Sequence, residues 1–327
     1  MSDPSPNTQA ILLLAAPLVA DGKRREAPIL SPGEYRRLAA RLRHLDAEPQ
    51  DLLVSGTDGL IEECGDTVDS TRLKSLLGRG FLLAQAVDRW AKRAIWVISR
   101  ADDDYPRRLK QRLKHDSPAV LYGCGHRSLL EAQGLAIVGS RDVDEPLLEY
   151  SRCVASQAAA ADLAVISGGA RGVDRAAMNG ALESGGVVAG VLAGDLERAV
   201  VHREHRDLLV DGRLVLVSPY DPSARFNVGH AMQRNKTIYA LADAALIVDA
   251  TVDSGGTWAG AVEQLRKYPT PVYVRSTGAP SAGLDALRER GAMPWPNPAD
   301  GDELSVILAG NAPTRLTGPT QPDLFDG

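Results

Sequence analysis

LAIVGSRDVDEPLLEYSRCVASQAAAADLAVISGGARGVDRAAMNGAL, residues 135 to 182, reads as strand, helix, strand, helix. LAIVG and LAVIS are short aliphatic runs that end against small residues, the pattern of buried strands. DEPLLEYSRCVASQAAAA and VDRAAMNGALESG have helix length. Outward from this core the alternation continues, with further strand-like runs AIWVI, AVLYG, VVAGVL, LVLVS, ALIVDA and PVYV and helix-length segments between most of them. The expected fold is α/β: an extended Rossmann-like, doubly wound and mostly parallel sheet.

In such sheets ligands bind beyond the carboxyl ends of the strands. Three glycine-rich stretches lie there: VGSR at 138 to 141, SGGARGVD at 167 to 174 and DSGGT at 253 to 257. The latter two open helices, whose first N–H groups have no partner within the helix and attract anions. In the first loop, Ser140 and Arg141 offer a hydroxyl and a planar guanidinium to phosphate oxygens. In the second, Gly168, Gly169 and Gly172 let the main chain approach a ligand, Arg171 and Arg175 bring charge, and Asp174 is placed to cap the turn or orient an arginine. Ser254, Gly255, Gly256 and Thr257 open the third helix, where Trp258 reads more readily as core than as a stacking platform. Before that strand, Arg225, Arg234 and Lys236 are expected to converge on one groove, with Asn235 fixing a turn or donating hydrogen bonds.

With 327 residues, 44% hydrophobic and 24% charged, the composition is that of an ordinary globular protein. A formal net charge of −5 means that any nucleic-acid binding needs a local basic surface. Cys64, Cys124 and Cys153 have no metal-binding or disulfide spacing and are expected to be reduced, buried thiols of a cytoplasmic protein. The apolar start, up to Ala20, lacks a basic leader region and is too short to span a bilayer, so no membrane segment is expected.

Residues 1 to 90 read as a helical, SAM-like module, residues 91 to 310 as the Rossmann-like domain and residues 311 to 327 as a flexible tail. Ser31 and Pro32 cap EYRRLAARLRHL, and STRLKSLLGRG and FLLAQAVDRWAKR supply further helices. The tail contains QPDLF, in which Gln321, Asp323, Leu324 and Phe325 resemble the peptide by which bacterial replication proteins dock on a sliding clamp.

No catalytic constellation stands out. The loops do not match GxGxxG, which argues against an ordinary nicotinamide enzyme. His202 and His205 lack a third ligand, so no metal is expected. Glu263 is a lone helical carboxylate, and the loop serines have no identifiable base. No cofactor is expected, and the residues favour binding over turnover.

The ordered set DDDYPRRLKQRLKHDSPAVLYGCG, AIVGSR, SGGARGVDRAAMNGAL, GGVVAGVL, QRNKTIYALAD and DSGGT resembles the DNA-processing protein A (DprA/Smf) family over residues 90 to 275. The resemblance implies a domain that binds single-stranded DNA without cutting it, dimerises and helps to load the RecA recombinase. By motif, it assigns DNA contact to Gly139, Ser140, Arg141, Ser167, Gly168, Arg171, Gly172, Arg234, Asn235 and Lys236. Aromatic residues such as Phe226 or Trp258 would stack on bases. Met178 stands where the family pattern has histidine, and AMQRNK replaces FPxRNR. GGTWAGAVE is similar to the wider superfamily that includes the LOG phosphoribohydrolases, without their GGxGTxxE spacing. The expected function is single-stranded DNA binding in recombination, with a role in genome maintenance or phage defence. The rivals are a nucleotide sensor or nucleotide-cleaving enzyme using Glu263, and a regulatory protein that binds other proteins.

Overall fold

A computed structural model describes residues 3–18, 28–54 and 56–310; the QPDLF peptide lies outside them. Helix α1 (Pro6–Ala15) comes first, followed by α2 (Pro32–His44), α3 (Asp58–Glu63), α4 (Ser70–Leu77) and α5 (Gly80–Ala91). The sheet begins with β1 (Trp96–Ser99), α6 (Arg107–Leu113) and β2 (Val120–Cys124). Next come β3 (Gly134–Val138), α7 (Glu145–Ala160), β4 (Ala164–Ser167), α8 (Val173–Glu183) and β5 (Val188–Val191). After α9 (Leu196–Val200) and α10 (Arg203–Val210) follow β6 (Leu214–Ser218), α11 (Val228–Leu241), β7 (Ala244–Ile247) and α12 (Gly255–Lys267). β8 (Val272–Val274), α13 (Ala282–Arg288), β9 (Met293–Pro294) and α14 (Gly301–Gly310) complete the described chain.

The sheet order is β1-β2-β6-β5-β4-β3-β7-β8-β9, with β1–β2 and β2–β6 antiparallel and every other pair parallel. From β3 the chain winds outward through β4, β5 and β6, then returns to β7 on the other side of β3. The winding therefore reverses between β3 and β7, and the crevice at that reversal is where such sheets hold ligands.

Strand residues alternate between two helical layers, as a period of two requires. Leu135, Ile137 and Val165 face α7, α8 and α14, while Ala136, Val138 and Ile166 face α6, α11, α12 and α13. Both faces are covered, which is why the central strands are continuous apolar runs.

The apolar start contributes helix α1, buried over most of its length. Ile11, Leu12 and Leu13 of α1 join the core beside the sheet, whereas Leu14 joins a separate cluster with Leu38 and Leu42 of α2 and Leu73 and Leu76 of α4. From Ala10 to Leu14 the helix is apolar on every side and buried on every side. Among the described residues no helix is long and apolar enough to cross a membrane. Of the cysteines, Cys64 and Cys124 are buried, but Cys153 is exposed, which corrects the expectation of three buried thiols.

Ser31 and Glu34 form a reciprocal cap on α2: the Glu34 N–H donates to Ser31 Oγ at 3.3 Å, and the Ser31 N–H donates to Glu34 Oε2 at 2.8 Å. Arg72 of α4 donates to Glu34 Oε1 at 2.7 Å. The Arg72 hydrogen bond and the Ser31 N–H hold the Glu34 carboxyl at about 2. Because this value lies below the ordinary carboxylate range, the clamp's contribution to stability is present above about pH 4.3 and lost as pH falls through about 2. An NMR titration is expected to place the Glu34 midpoint near 2, and Arg72→Ala to move it up toward the ordinary range.

Candidate nucleic-acid interface at the sheet crest

The turns after β3, β4 and β7 meet at the reversal, and the β3 and β4 turns are tied together from beneath by Asp174. This carboxylate, 6% exposed, accepts the Gly139 N–H at 3.3 Å and the Gly168 N–H at 3.2 Å. Arg234, on α11 and 4% exposed, donates to the Gly168 carbonyl at 3.2 Å and acts on Asp174 through its charge without forming a salt bridge to it. Burial pushes the Asp174 carboxyl up and the Arg234 guanidinium down, and each charge opposes the other's shift. The third turn is fixed from both sides. Thr257 Oγ1 donates to the Gly139 carbonyl and Asn235 Nδ2 to the Gly256 carbonyl, both at 2.9 Å.

The glycines follow from this packing. Gly172 has φ +87°, and a Cβ there would come within 2.5 Å of the Ser140 and Arg141 carbonyls, so the β4 turn lies directly against the β3 turn. A Cβ at Gly168 would collide with the Arg234 guanidinium. Gly168→Ala is therefore expected to destabilise the fold by about 1–3 kcal/mol, as overpacking does, in a urea denaturation series.

Two adjoining clefts open on the crest. The first, about 390 Å³, lies between the β3 and β7 turns and is lined by Gly139, Ser140, Arg141, Ser254, Gly255, Gly256 and Thr257, with Arg234 and Asn235 from α11. The α12 N-terminus opens into it without a side-chain cap from Ser254. The second, about 510 Å³, lies over the β4 and β5 turns and includes Gly168, Gly169, Arg171, Gly194 and Phe226. Arg141, Asp142, Ala170 and Arg234 line both. The exposed Arg141 guanidinium stands 5.1 Å from the centre of the Phe226 ring, itself 45% exposed. Arg171 pairs with Asp142 on the surface, a contact of little net strength that an incoming anion can displace.

Several expected contacts are placed elsewhere. Ser167 is fully buried and its hydroxyl donates to the Ile137 carbonyl at 2.7 Å, so its side chain does not reach the crest surface. The Gly139 and Gly168 N–H groups point inward to Asp174, which leaves the anion-binding role in these turns to other groups. Arg225, Arg234 and Lys236 do not converge: Arg234 is buried between the clefts, while Arg225 and Lys236 line neither. Two positions along α11 are about 200° apart, which turns Lys236 away from Arg234. Gly172 and Arg175 also line neither cleft. Trp258 is buried, with Arg290 over its ring, and is core.

Glu263 pairs with Lys267 at 2.8 Å and lines neither cleft. His205 Nδ1 lies 2.8 Å from the Ala199 carbonyl, and no cluster of three metal-ligating side chains occurs among the described residues. Sequence reading missed the acidic Asp142 and Asp249 and the apolar Val228 and Met232, all of which line the first cleft. Val228 and Met232 are 66% and 41% exposed, yet in sequence they are indistinguishable from core residues of an amphipathic helix.

The family model described as DNA recombination-mediator protein A matches residues 96–300. A DprA-type DNA processing protein of Mycobacterium tuberculosis is 33% identical over 235 residues, covering 67% of this chain and 56% of the relative. DNA processing protein DprA of Streptococcus pneumoniae is 30% identical over 160 residues, covering 48% of this chain and 55% of the relative. The chain thus spans a little over half the length of these curated relatives. In fold it is similar to the solved structure of the S. pneumoniae protein, with a TM-score of 0.66, 21% identity and coverage of 85% of this chain and 93% of that one. A structure of DNA processing protein A from Helicobacter pylori, solved to describe its single-stranded DNA binding mode, has a TM-score of 0.52 at 24% identity, covering 66% of this chain and 96% of that one. With the family model spanning residues 96–300, and so the whole crest, the chain belongs to the DNA recombination-mediator protein A family.

Proposed function

We propose that the crest binds single-stranded DNA, and that the protein acts in DNA processing and recombination as a non-catalytic mediator. The observation that carries this is the pair of adjoining clefts bridged by Arg141, whose guanidinium lies over the exposed Phe226 ring. A cation beside an exposed aromatic face meets a phosphate and an unstacked base together, and it does so without reading sequence. The clefts form an open double groove suited to a flexible strand, and beneath it Asp174 and Arg234 each bind the turn backbone and hold it in place. The H. pylori relative, described as binding single-stranded DNA, supports the same ligand class.

Family membership supports the further parts of the proposal: loading of a RecA-type recombinase, a homodimeric state and action in the cytoplasm; the departures from the family pattern at Met178 and AMQRNK are the ground for a specialised role in genome maintenance or phage defence. The terminal Gln321–Phe325 peptide would add a contact to a sliding clamp, tested by loss of clamp binding when Leu324 and Phe325 are replaced by alanine.

Fluorescence anisotropy of labelled single-stranded DNA, titrated across a salt series with duplex competitor, tests the reading. Binding that weakens linearly in log–log salt and resists duplex competition is expected. Salt-insensitive or absent binding overturns it. Phe226→Ala is expected to weaken binding by about 1–3 kcal/mol, the scale of one lost base stack.

A further inference from the structure

Helix α2 is amphipathic, and its outward face is cationic. Its 13 residues carry four arginines, Arg36, Arg37, Arg41 and Arg43, against one acid, Glu34, which is held by Arg72. Arg36, Arg37, Arg43 and His44 are exposed on the side opposite the buried Leu38 and Leu42. Among the described residues, the Arg36 and Arg37 side chains make no hydrogen bond or ion pair. Arg43 donates only within its own helix, to the Ala39 carbonyl at 3.3 Å. Arg100, just after β1, adds a further cation on this side: α1, packed on Leu38 and Leu42 of α2 through Leu14, bonds through Ser5 and Thr8 to Asp102 in the turn that follows Arg100. In a protein of net charge −5, this is a local basic surface whose arginines have no acidic partner among the described residues.

Sheet topology puts this surface within reach of the crest. β1 runs antiparallel to β2, which runs antiparallel to β6, so the carboxyl end of β1 lies on the same sheet edge as those of β3 to β6. Five strand spacings separate β1 from β3 in the sheet, roughly 24 Å at about 4.8 Å each. Stacked nucleotides advance about 3.4 Å each, so about seven cover that span.

We propose that the outward face of α2, with Arg36, Arg37 and Arg43 as its principal cations, is a second nucleic-acid contact that holds the phosphate backbone of a strand extending beyond the crest. It goes beyond the crest reading, since it assigns a binding surface to the helices that precede the sheet. Arginines without an acidic partner on an exposed helix face fit a regularly spaced polyanion, and Tyr35, the one aromatic residue beside them, is half-buried against the core, which predicts backbone contact without base stacking.

The test compares labelled oligothymidylates of about 6 and about 25 nucleotides, the shorter fitting the crest alone. The triple variant Arg36→Ala, Arg37→Ala, Arg43→Ala is expected to bind the short oligomer as the unaltered protein does. It should bind the long one about tenfold more weakly at low salt, with a salt slope shallower by about 2, the release expected of three lost phosphate contacts at about 0.7 each. The corresponding triple lysine variant should restore most of the loss. Unchanged affinity and slope for the long oligomer overturn the proposal. So does a variant that loses only its binding to phosphatidylserine vesicles, which would make the face a lipid contact. If the short oligomer fails to bind while the long one depends on the α2 arginines, the crest reading falls and this one stands; if neither binds, both fall.

Discussion

Replacing Asp174 with alanine lowers the unfolding free energy by about 2–5 kcal/mol, the cost of leaving two buried N–H groups without an acceptor and the largest stability effect expected of a single change at the crest. The carboxylate is buried, accepts two backbone N–H groups at 3.3 and 3.2 Å, and is stabilised as an anion by the charge of the buried Arg234. Its removal leaves an arginine without its counter-charge, and Arg234 Nε already lacks a hydrogen-bond partner among the described residues. The Gly139 and Gly168 N–H groups lose their acceptor as well, so the β3 and β4 turns separate and DNA binding fails along with stability. Replacing both Asp174 and Arg234 with apolar residues of similar size should cost less than the sum of the two single changes, because no charge is then left buried alone. Urea denaturation of the two single variants and the double variant measures this directly. A loss below about 1 kcal/mol for Asp174→Ala would show that the pair does not hold the turns together.

Arg141→Ala weakens single-stranded DNA binding by about 1.5–3 kcal/mol, roughly ten- to a hundredfold, and leaves folding stability within about 0.5 kcal/mol of the parent. The asymmetry follows from position. Arg141 is exposed, lines both clefts and leans on the Phe226 ring, so its loss removes a ligand contact and no core packing. The salt slope should become shallower by about 0.7, the signature of one phosphate contact. Lys236→Ala serves as the comparison. It removes the same charge from the neighbouring helix but from a side chain that lines neither cleft, so its effect should be much smaller. Equal losses for the two variants would mean that overall charge, rather than the crest, governs binding.

Much of this architecture was legible because strands buried on both faces need unbroken apolar runs, and most of the eight such runs are separated by helix-length segments. β9 was not, since two residues carry no period and Met293 is exposed. The buried α1 was read only as an unfit leader, because an apolar helix betrays its partners only through the elements around it. At the site, the glycines were legible for a steric reason: Gly168 and Gly172 sit where a Cβ has no room. Which way the turn amides and charges point was not. One signal was available for Arg234. Ala231, Arg234, Ile238 and Leu241 recur at helical spacing and are all buried, so the arginine lies on the apolar stripe of α11 while Lys236 falls off it. A charged residue on such a stripe announces a buried partner, and Asp174 is that partner.

Hydrogen–deuterium exchange of the protein with and without a saturating oligothymidylate tests the crest reading most directly, because it locates the ligand on the chain. Protection is expected in the three turns, at residues 139–142, 169–172 and 254–257, and in the segment 225–228 that carries Phe226, with little change in the already buried central strands. Protection confined to other surfaces, or no protection at a DNA concentration that saturates binding, would contradict a DNA groove at the crest.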